Sequence, residues 1–374
     1  MYNPPFDELK DREPLDVAAV GAKSLGQGAS VWTELTVTLG LFASMILLMR
    51  PLSFGDSIFY VQSILEYAHH QTGLGSLFEF GHLLWRPIGW VLFDVIRTLF
   101  PTVAADDGVL VLKILICISV ISGAIATAVL HLICRDRGFG RTVTFLVCAV
   151  FVFSNAVIYA AETGSSYMLA LAFLMAALWL AMRNAFGGRK LRNVALWCAG
   201  LLLAFSAASW FPFILVAPAV CLAAAIRWDE PEPFSIRRLS LVRAANLAGA
   251  GVAGTVILFG AAATMLHINS VTGIRSWMSG STHGWRQSSN LLRVWMGLPR
   301  CCMALKDDAG IVWKRFLFHD PFAPVRLQDL LQSSLLLMAV FYFGMFLLLY
   351  TLARSKEGKA FLILLTVAAV PVLN

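Results

Sequence analysis

The first side chain in this sequence that is placed to do acid–base chemistry is Asp56, which follows soon after a long apolar run. A carboxylate held at the end of an apolar helix can act as a general base or as a metal ligand. The apolar residues that come next have helical spacing: Ile58, Val61, Ile64, Leu65 and Ala68. This spacing predicts an amphipathic surface helix that begins near Ser57. Asp56 then also suits its N-cap, and the two roles are compatible.

A second group of polar residues stands in the segment EFGHLLWRP, at the mouth of another apolar run. Its members are an acid, a histidine, a tryptophan and an arginine: Glu79, His82, Trp85 and Arg86. Ionisable groups beside an apolar segment are costly unless they are paired or used. One interpretation is a substrate site, and the other is an interfacial belt in which Trp85 and Arg86 anchor at headgroup level.

Two further parts of the sequence contain ionisable residues that could belong to a site. Glu162, in YAAETGSSY, ends another apolar run, where a glutamate is either solvated or part of a site. The long segment 267–330 is rich in basic residues: Arg275, Arg286, Arg293, Arg300, Lys306, Lys314, Arg315 and Arg326. Arginine forks suit phosphate oxygens, so this segment is predicted to bind either a phosphorylated substrate or lipid headgroups.

The composition limits the class of protein. Hydrophobic residues make up 59% of the 374 residues and charged residues 14%, and the mean hydropathy is +0.75. Soluble domains have about 25% charged residues, so a soluble globular protein and a disordered chain are both excluded. The net charge of +7 fits cytoplasmic loops of a membrane protein and does not point to nucleic acid. No nucleotide-binding loop or zinc-protease motif stands in a credible context in the sequence.

The apolar runs predict an all-α fold, a polytopic transmembrane helical bundle with about eight to ten apolar segments. They lie near 34–49, 82–100, 109–134, 142–160, 167–182, 194–208, 211–226, 244–266, 331–352 and 359–374. The two short runs around Ser209 and Trp210 are either a tight reversal between two spans or one kinked helix. The expected organisation is a cytoplasmic segment, 1–33, followed by a transmembrane domain, 34–374.

Basic clusters orient the chain, because cytoplasmic loops carry the excess of Lys and Arg. We expect the N-terminus and the loops 135–141, 183–193, 227–243 and 353–359 to be cytoplasmic. The long loops 50–108 and 267–330 are then outside and carry short interfacial helices. This assignment requires that 82–100 does not cross the membrane and is instead re-entrant or surface-lying. The chain is expected to be a multi-pass protein of the plasma (inner) membrane.

This layout resembles the GT-C superfamily of multi-span glycosyltransferases that use lipid-linked sugars, such as protein O-mannosyltransferases and lipid A aminoarabinose transferases. The resemblance covers roughly 30–270. It rests on a first span, an acidic residue opening the first outer loop, the segment HLLWRPIGW, and spans that end in RDR and in AETGSSYMLALAFLMAALWLAMR.

The resemblance implies that Asp56 is catalytic and that Glu162 matches a second acidic position. The remaining residues assigned to substrate binding are Glu79, His82, Trp85, Arg86, His283, Arg286 and Arg293. The family often has a paired acidic motif in the first loop, whereas Ser57 and Ile58 follow Asp56 here, so a divalent cation stays an open candidate cofactor. The implied partners are membrane lipid, a polyprenyl-phosphate sugar and a glycan, lipid or protein acceptor, with no nucleic acid.

Two alternatives from other classes remain. A transporter or flippase for an amphipathic substrate would have charged residues or broken helices near the middle of the membrane. A non-enzymatic assembly component would need no special carboxylate. A cavity that joins Asp56, His82 and the second outer loop would favour the enzyme.

Overall fold

The computed structural model describes residues 17–49, 56–100, 106–183, 188–226, 228, 239–281, 291–303, 326–331 and 333–373. These ranges contain fifteen α-helices and no β-strand, which confirms the predicted all-α fold. The first eight are α1 Val17–Leu48, α2 Asp56–Ala68, α3 Trp85–Leu99, α4 Asp107–Asp136, α5 Arg141–Val152, α6 Asn155–Glu162, α7 Tyr167–Met182 and α8 Gly188–Ser209. The others are α9 Ala217–Ala225, α10 Leu241–Met265, α11 Val271–Gly280, α12 Leu291–Cys302, α13 Leu327–Leu331, α14 Ser334–Arg354 and α15 Lys356–Leu373.

Four of these helices are long and apolar enough to cross a membrane, namely α4, α10 and the apolar parts Leu191–Ser209 of α8 and Leu335–Arg354 of α14. Counting the bent pair α5–α6 as one span gives up to five. The shorter apolar helices are Trp32–Leu47, Tyr167–Met182, Phe211–Ala225 and Gly358–Ala368. Together these elements correspond to the apolar segments predicted from the sequence. The chain is therefore a multi-pass helical membrane protein.

The centre of the bundle is the packing of α7, α8, α9 and α10. Its buried residues are mostly small or aliphatic: Leu174, Ala177, Ala181, Leu196, Ala199, Leu203, Val220, Ala224 and Leu247. A Cβ on Gly200 of α8 would lie 2.3 Å from the carbonyl oxygen of Leu247 and 2.8 Å from the backbone nitrogen of Gly251, both on α10. Small residues let membrane helices approach this closely, which compensates for the absence of a hydrophobic driving force in lipid.

The chain reverses between Ser209 and Trp210, which decides between the two interpretations of the short runs. Ala224, near the end of α9, packs in the same cluster as Ala181 at the end of α7. The N–H of Ser240, just before α10, donates to the carbonyl of Ala225. Because α9 thus returns to the end where α8 begins, α8 and α9 are antiparallel and are not one kinked helix.

The run 142–160, expected from its apolarity to be one span, is broken into α5 and α6, whose axes differ by 52°. The break falls at Ser154, whose side-chain oxygen accepts a hydrogen bond from the N–H of Val157 and caps α6. Ser and Asn favour helix starts over helix interiors, which is the local reason for the interruption.

The two helices of the segment 50–108, which is predicted to be an outer loop, pack on the bundle. Helix α3 has 15 residues, so it is about 22 Å long and shorter than the roughly 30 Å hydrocarbon core. Trp85 and Phe93 on α3 and Tyr60 and Ile64 on α2 form one buried cluster with the first half of α4. The predicted apolar face of α2 is thus used mainly against protein, while Ile58 is half-exposed.

Polar side chains collect at two opposite ends of α4, which at 30 residues is about 45 Å long. At the first end, the Asp107 carboxylate lies 3.2 Å from Arg97 and 3.3 Å from His69. At the other end, Arg135 contacts Glu34 of α1. We name these the Asp107 end and the Arg135 end. The outer loop 50–108 lies at the first and the basic loop 135–141 at the second, and which end faces the cytoplasm stays a prediction.

Candidate functional site

The side chain of Asp56 lies where the helices α2 and α7 both begin. It is the first residue of α2, and its Oδ2 accepts a hydrogen bond from the hydroxyl of Tyr167, the first residue of α7, at 3.1 Å. The Tyr167 ring packs edge-on against Trp210, with 4.8 Å between ring centroids. A carboxylate in the first turn of a helix interacts favourably with the helix dipole. The sequence predicted Asp56 as the N-cap, whereas α2 begins at Asp56 itself. The contact with Tyr167 adds an interaction that a cap does not need.

A buried histidine lies beside this carboxylate. His82 Nδ1 is 2.8 Å from the hydroxyl oxygen of Ser166 and 3.4 Å from the carbonyl oxygen of Ser209. A carbonyl only accepts, so the tautomer that satisfies both contacts carries its proton on Nδ1. Because Ser166 directly precedes Tyr167, the histidine and the carboxylate are held by neighbouring residues at the start of α7.

The aromatic ring of Tyr60 connects the histidine to the second polar group. Its centroid lies 5.4 Å from that of His82, edge-on, and 5.5 Å from the guanidinium carbon of Arg86. Burial raises the pKa of the Tyr60 phenol well above its usual range, and the negative charge of Asp56 raises it further. The phenol therefore stays protonated and neutral at physiological pH.

Glu79 and Arg86 form an ion pair, with 2.5 Å between Glu79 Oε2 and Arg86 Nη2 and about one-tenth of each side chain exposed. Arg86 also donates to the carbonyl of Ser76 at 2.8 Å. Glu79 accepts a hydrogen bond from the hydroxyl of Ser281 at 3.3 Å, and that hydroxyl accepts from the N–H of Gly81 at 2.8 Å. This pair therefore fixes the loop before α3 to the start of the second outer loop.

A second contact joins the two outer loops. The indole N–H of Trp277, on α11, donates to the carbonyl of Phe78 at 2.9 Å. The rings of Phe80, Phe211, Phe259 and Trp277 pack together with centroid distances from 4.7 to 6.2 Å. No sequence pattern directly places 267–281 against 74–82, and the structure brings the two segments together at the loop that carries His82.

Glu162 ends α6 and begins the turn that positions the site. Gly164 in this turn has a φ of +59°, and a Cβ there would lie 2.9 Å from the backbone nitrogen of Ile116 on α4. The hydroxyl of Ser119 donates to the carbonyl of Ser165 at 2.9 Å. The turn is thus anchored to α4 immediately before Ser166 and Tyr167. The side chain of Glu162 is half-buried.

Other predicted site residues have different surroundings. Trp85 is fully buried in the cluster between α2, α3 and α4, which is the environment of a packing residue and not of an interfacial anchor. His283 and Arg286 lie outside the described residues. Arg293 lies on α12, for which the backbone alone is described at this position. Helix α12 is attached to the bundle through Asn155, whose side-chain amide donates to the carbonyl of Arg300 at 3.0 Å.

A cavity of about 690 Å³ opens between α2 and the start of α4. Its polar lining residues are Ser57, Gln62, Glu66, Gln71 and Asp106. It begins at the residue after Asp56, but among the described residues neither Asp56 nor His82 lines it. The single cavity expected to join Asp56, His82 and the second loop is therefore not the one found beside α2.

The described residues include no group of three or more His, Cys, Asp or Glu side chains close enough to hold a metal ion. The resembled family often has a second acidic residue beside its catalytic acid. Here the neighbours of Asp56 are Ser57 in the sequence and Tyr167 in the fold.

The fold and the composition define the class, a multi-pass helical membrane protein with a polar site at one end of the bundle. No model of a known protein family matches the chain, and no curated protein matches its sequence. The resemblance to the GT-C superfamily accordingly stays a prediction.

Reasoning from the sequence missed the residues that hold the predicted ones in place, chiefly Tyr60, Ser166, Tyr167 and Ser281. The segment TGSSY, between Glu162 and a long apolar helix, carried a usable signal. Consecutive small and hydroxyl residues ahead of an apolar run mark a helix start with hydrogen-bonding capacity, and a tyrosine there is typical of the end of a span.

Proposed function

We propose that the protein is a membrane glycosyltransferase that moves a sugar from a polyprenyl-phosphate donor to an acceptor hydroxyl at the outer face of the membrane. The observation that supports this most is the placement of Asp56. Its carboxylate is oriented by Tyr167 at the end of the bundle where the two long loops meet. A membrane-surface base of this kind suits a substrate whose phosphate cannot leave the interface.

In the proposed reaction, the Asp56 carboxylate accepts the proton of the acceptor hydroxyl as its oxygen attacks the anomeric carbon. The bond from that carbon to the phosphate oxygen breaks, and its electron pair leaves with the phosphate. Tyr167 donates to one oxygen of the Asp56 carboxylate and so orients the base. Tyr167 is therefore a positioning residue.

The donor's lipid and phosphate would contact different parts of the outer loops. Helix α3 exposes Val91, Leu92, Val95 and Leu99 on the face opposite its packed side, which suits an acyl or polyprenyl chain. The leaving phosphate needs cations, and the basic segment 267–330 supplies them. Arg286 and Arg293 are seven residues apart, so one helix would place both on one face. Lysine at either position keeps the charge but loses the fork, and we expect weaker donor binding.

The test is transfer from labelled polyprenyl-phosphate sugars, followed by thin-layer separation, in membranes with the native protein and with Asp56→Asn. Asparagine keeps the size and capping ability of the side chain. We expect normal expression and a loss of about 10²- to 10⁴-fold in rate. Asp94→Asn, on the exposed side of α3, is the matched control and should retain activity. Full activity of Asp56→Asn would remove Asp56 from the mechanism.

A transporter or flippase for a lipid-linked or amphipathic substrate is the second candidate, and the 52° break between α5 and α6 favours it. Broken helices and ionisable groups inside the membrane are typical of transporters. Proteoliposomes separate the two functions. A flippase would move a labelled donor across the bilayer equally well with Asp56→Asn, whereas a transferase would form a new glycoside and lose that product in the variant.

A further inference from the structure

A second polar cluster lies at the Arg135 end, around the last turns of α4, and the proposed transfer reaction does not use it. Glu34 of α1 lies at its centre, with about one-seventh of its side chain exposed. Its Oε2 is 3.1 Å from Arg135 Nε, and its Oε1 is 2.6 Å from Arg141 Nε. Glu34 is therefore paired, and the feature of this cluster that lacks a partner among the described residues is Nε2 of the neighbouring histidine, His131.

We assign the tautomer of His131 from the hydrogen bonds of Thr38. The Thr38 hydroxyl has one proton, which it donates to the carbonyl of Glu34 at 3.0 Å. Its oxygen also lies 3.0 Å from His131 Nδ1, so it must accept there, and Nδ1 carries the proton of the neutral ring.

The other ring nitrogen of His131 is consequently an acceptor. The ring is 2% exposed, and Nε2 has no hydrogen-bond partner in the described part of the chain. Glu34 Oε2 lies 4.0 Å from Nε2 and is also an acceptor, and Arg135 and Arg141 already pair with this carboxylate. A buried acceptor without a donor is unfavourable, so His131 Nε2 is complementary to a donor group that enters beside it.

A cavity of about 360 Å³ lies beside these atoms, roughly twelve times the liquid volume of a water molecule. Its polar lining residues are Thr33, Glu34, Thr38, His131, Arg141 and Thr142. Val37 and Phe145 complete the wall and are 55% and 38% exposed on the outside of the bundle, where acyl chains would lie. The side chain of Arg141 is 69% exposed, so it presents a guanidinium edge at the mouth.

We propose that this cavity between α1, α4 and α5 binds the headgroup of a phosphatidylethanolamine lipid. The primary ammonium lies between Glu34 and His131 and donates to His131 Nε2 and to the carboxylate. The phosphodiester lies against Arg141, whose planar fork suits phosphate oxygens. The acyl chains follow Val37 and Phe145. Basic pockets between membrane helices are known headgroup sites, and the histidine acceptor adds selection for a headgroup with N–H donors.

The experiment measures retention of radiolabelled lipid by the purified full chain in detergent, after gel filtration. We expect about one phosphatidylethanolamine per chain and at least about tenfold weaker retention of phosphatidylcholine, whose quaternary ammonium has no N–H. Equal retention of the two lipids would overturn the proposal. Soluble phosphoethanolamine is added as a competitor to test whether the site binds the intact lipid or only the headgroup chemistry. Efficient displacement by the soluble headgroup would show that the site does not select a lipid, which would also contradict the proposal.

Two variants test the residues directly. Glu34→Gln removes the charge and His131→Phe removes the acceptor, and each should weaken retention of phosphatidylethanolamine about tenfold. Trp179→Phe is the control, because its indole bonds to Asp136 at the same end but outside the cavity. Retention unchanged in both variants would refute the site. The comparison of two lipids on the unmodified protein decides the matter even if a variant does not fold.

Discussion

The hydroxyl of Tyr167 donates to Oδ2 of Asp56 at 3.1 Å, across 111 positions of sequence. This contact joins the first turn of α2, in the outer loop, to the first turn of α7, in the bundle. The hydrogen bond fixes the position of one of the two carboxylate oxygens of Asp56. Asp56 is therefore more than a helix cap, since capping uses the backbone N–H groups of its own helix.

Removing this contact should slow transfer without unfolding the protein. In Tyr167→Phe the ring still packs against Trp210, but the carboxylate loses its orienting donor. A hydrogen bond to a charged group contributes about 1.5–3 kcal/mol, so we expect a rate roughly 10- to 100-fold lower, a smaller loss than for Asp56→Asn. The measurement is the rate of labelled sugar transfer, together with its dependence on acceptor concentration.

Tyr67→Phe is the control for this variant. Tyr67 is also on α2, and its ring packs edge-on against Trp90 at 5.2 Å, a contact that phenylalanine preserves. Its activity should match that of the native protein. A Tyr167→Phe enzyme with the native rate would show that Asp56 does not need this donor.

The packing of α8 against α10 gives a prediction about stability. Gly200→Ala places a Cβ 2.3 Å from the Leu247 carbonyl oxygen, a backbone atom that cannot rotate away. Overpacking of this kind costs about 1–3 kcal/mol, so we expect a lower melting temperature by circular dichroism in detergent.

Gly249→Ala, on α10, is the control substitution, and its effect on the melting temperature should be opposite to that of Gly200→Ala. A Cβ at Gly249 meets nothing within 4 Å, and alanine in a helix is better than glycine by about 0.5–1 kcal/mol. The melting temperature should stay level or rise. If both substitutions have the same effect, the two helices do not approach at Gly200 as described.

The helices were predictable from the sequence, because long apolar runs in this solvent have few alternatives to helix. The break between α5 and α6 was harder to foresee, since Ser154 and Asn155 do not lower the apolarity of the run 142–160 enough to end it. The deciding factor is a local cap, which competes with helix continuation over only a few residues.

The sequence identified candidate site residues, and their functional roles stay a prediction. Asp56, Glu79, His82 and Arg86 were identified by the cost of polar groups beside apolar runs, and the structure gathers them at the Asp107 end. Their partners could not be identified in this way. Tyr167 and Ser281 are ordinary residues in the sequence, and their roles arise from contacts across 111 and 202 positions, which depend on how the helices pack.

The sidedness of the bundle can be tested by labelling of single cysteines in a variant with the seven native cysteines replaced. The excess of basic residues at the Arg135 end predicts that it is cytoplasmic. Cysteine at Gln71, an exposed residue at the Asp107 end, should react with an impermeant maleimide in intact cells. Cysteine at Arg137 should react only after permeabilisation. Reaction at Arg137 in intact cells would reverse the assignment.

The ion pair between Glu79 and Arg86 should stabilise the fold. Removing one partner of a buried pair leaves an uncompensated charge, which typically costs about 3–5 kcal/mol. Since about one-tenth of each side chain is exposed, we expect a loss near the lower limit, about 3 kcal/mol, for Glu79→Gln and for Arg86→Met. Methionine preserves much of the apolar stem that packs near Tyr60.

The double variant measures the interaction energy between Glu79 and Arg86 apart from the contacts that each side chain makes with other residues. Glu79→Gln with Arg86→Met leaves neither charge, so the summed loss of the single variants should exceed the loss of the double variant by about 1–3 kcal/mol. The readout is the unfolding free energy in a denaturing detergent titration. Arg97→Met is the matched control, because its pair with Asp107 is half-exposed and contributes less than about 1 kcal/mol. Strictly additive losses would show that the two side chains are stabilised separately, Glu79 by Ser281 and Arg86 by the Ser76 carbonyl.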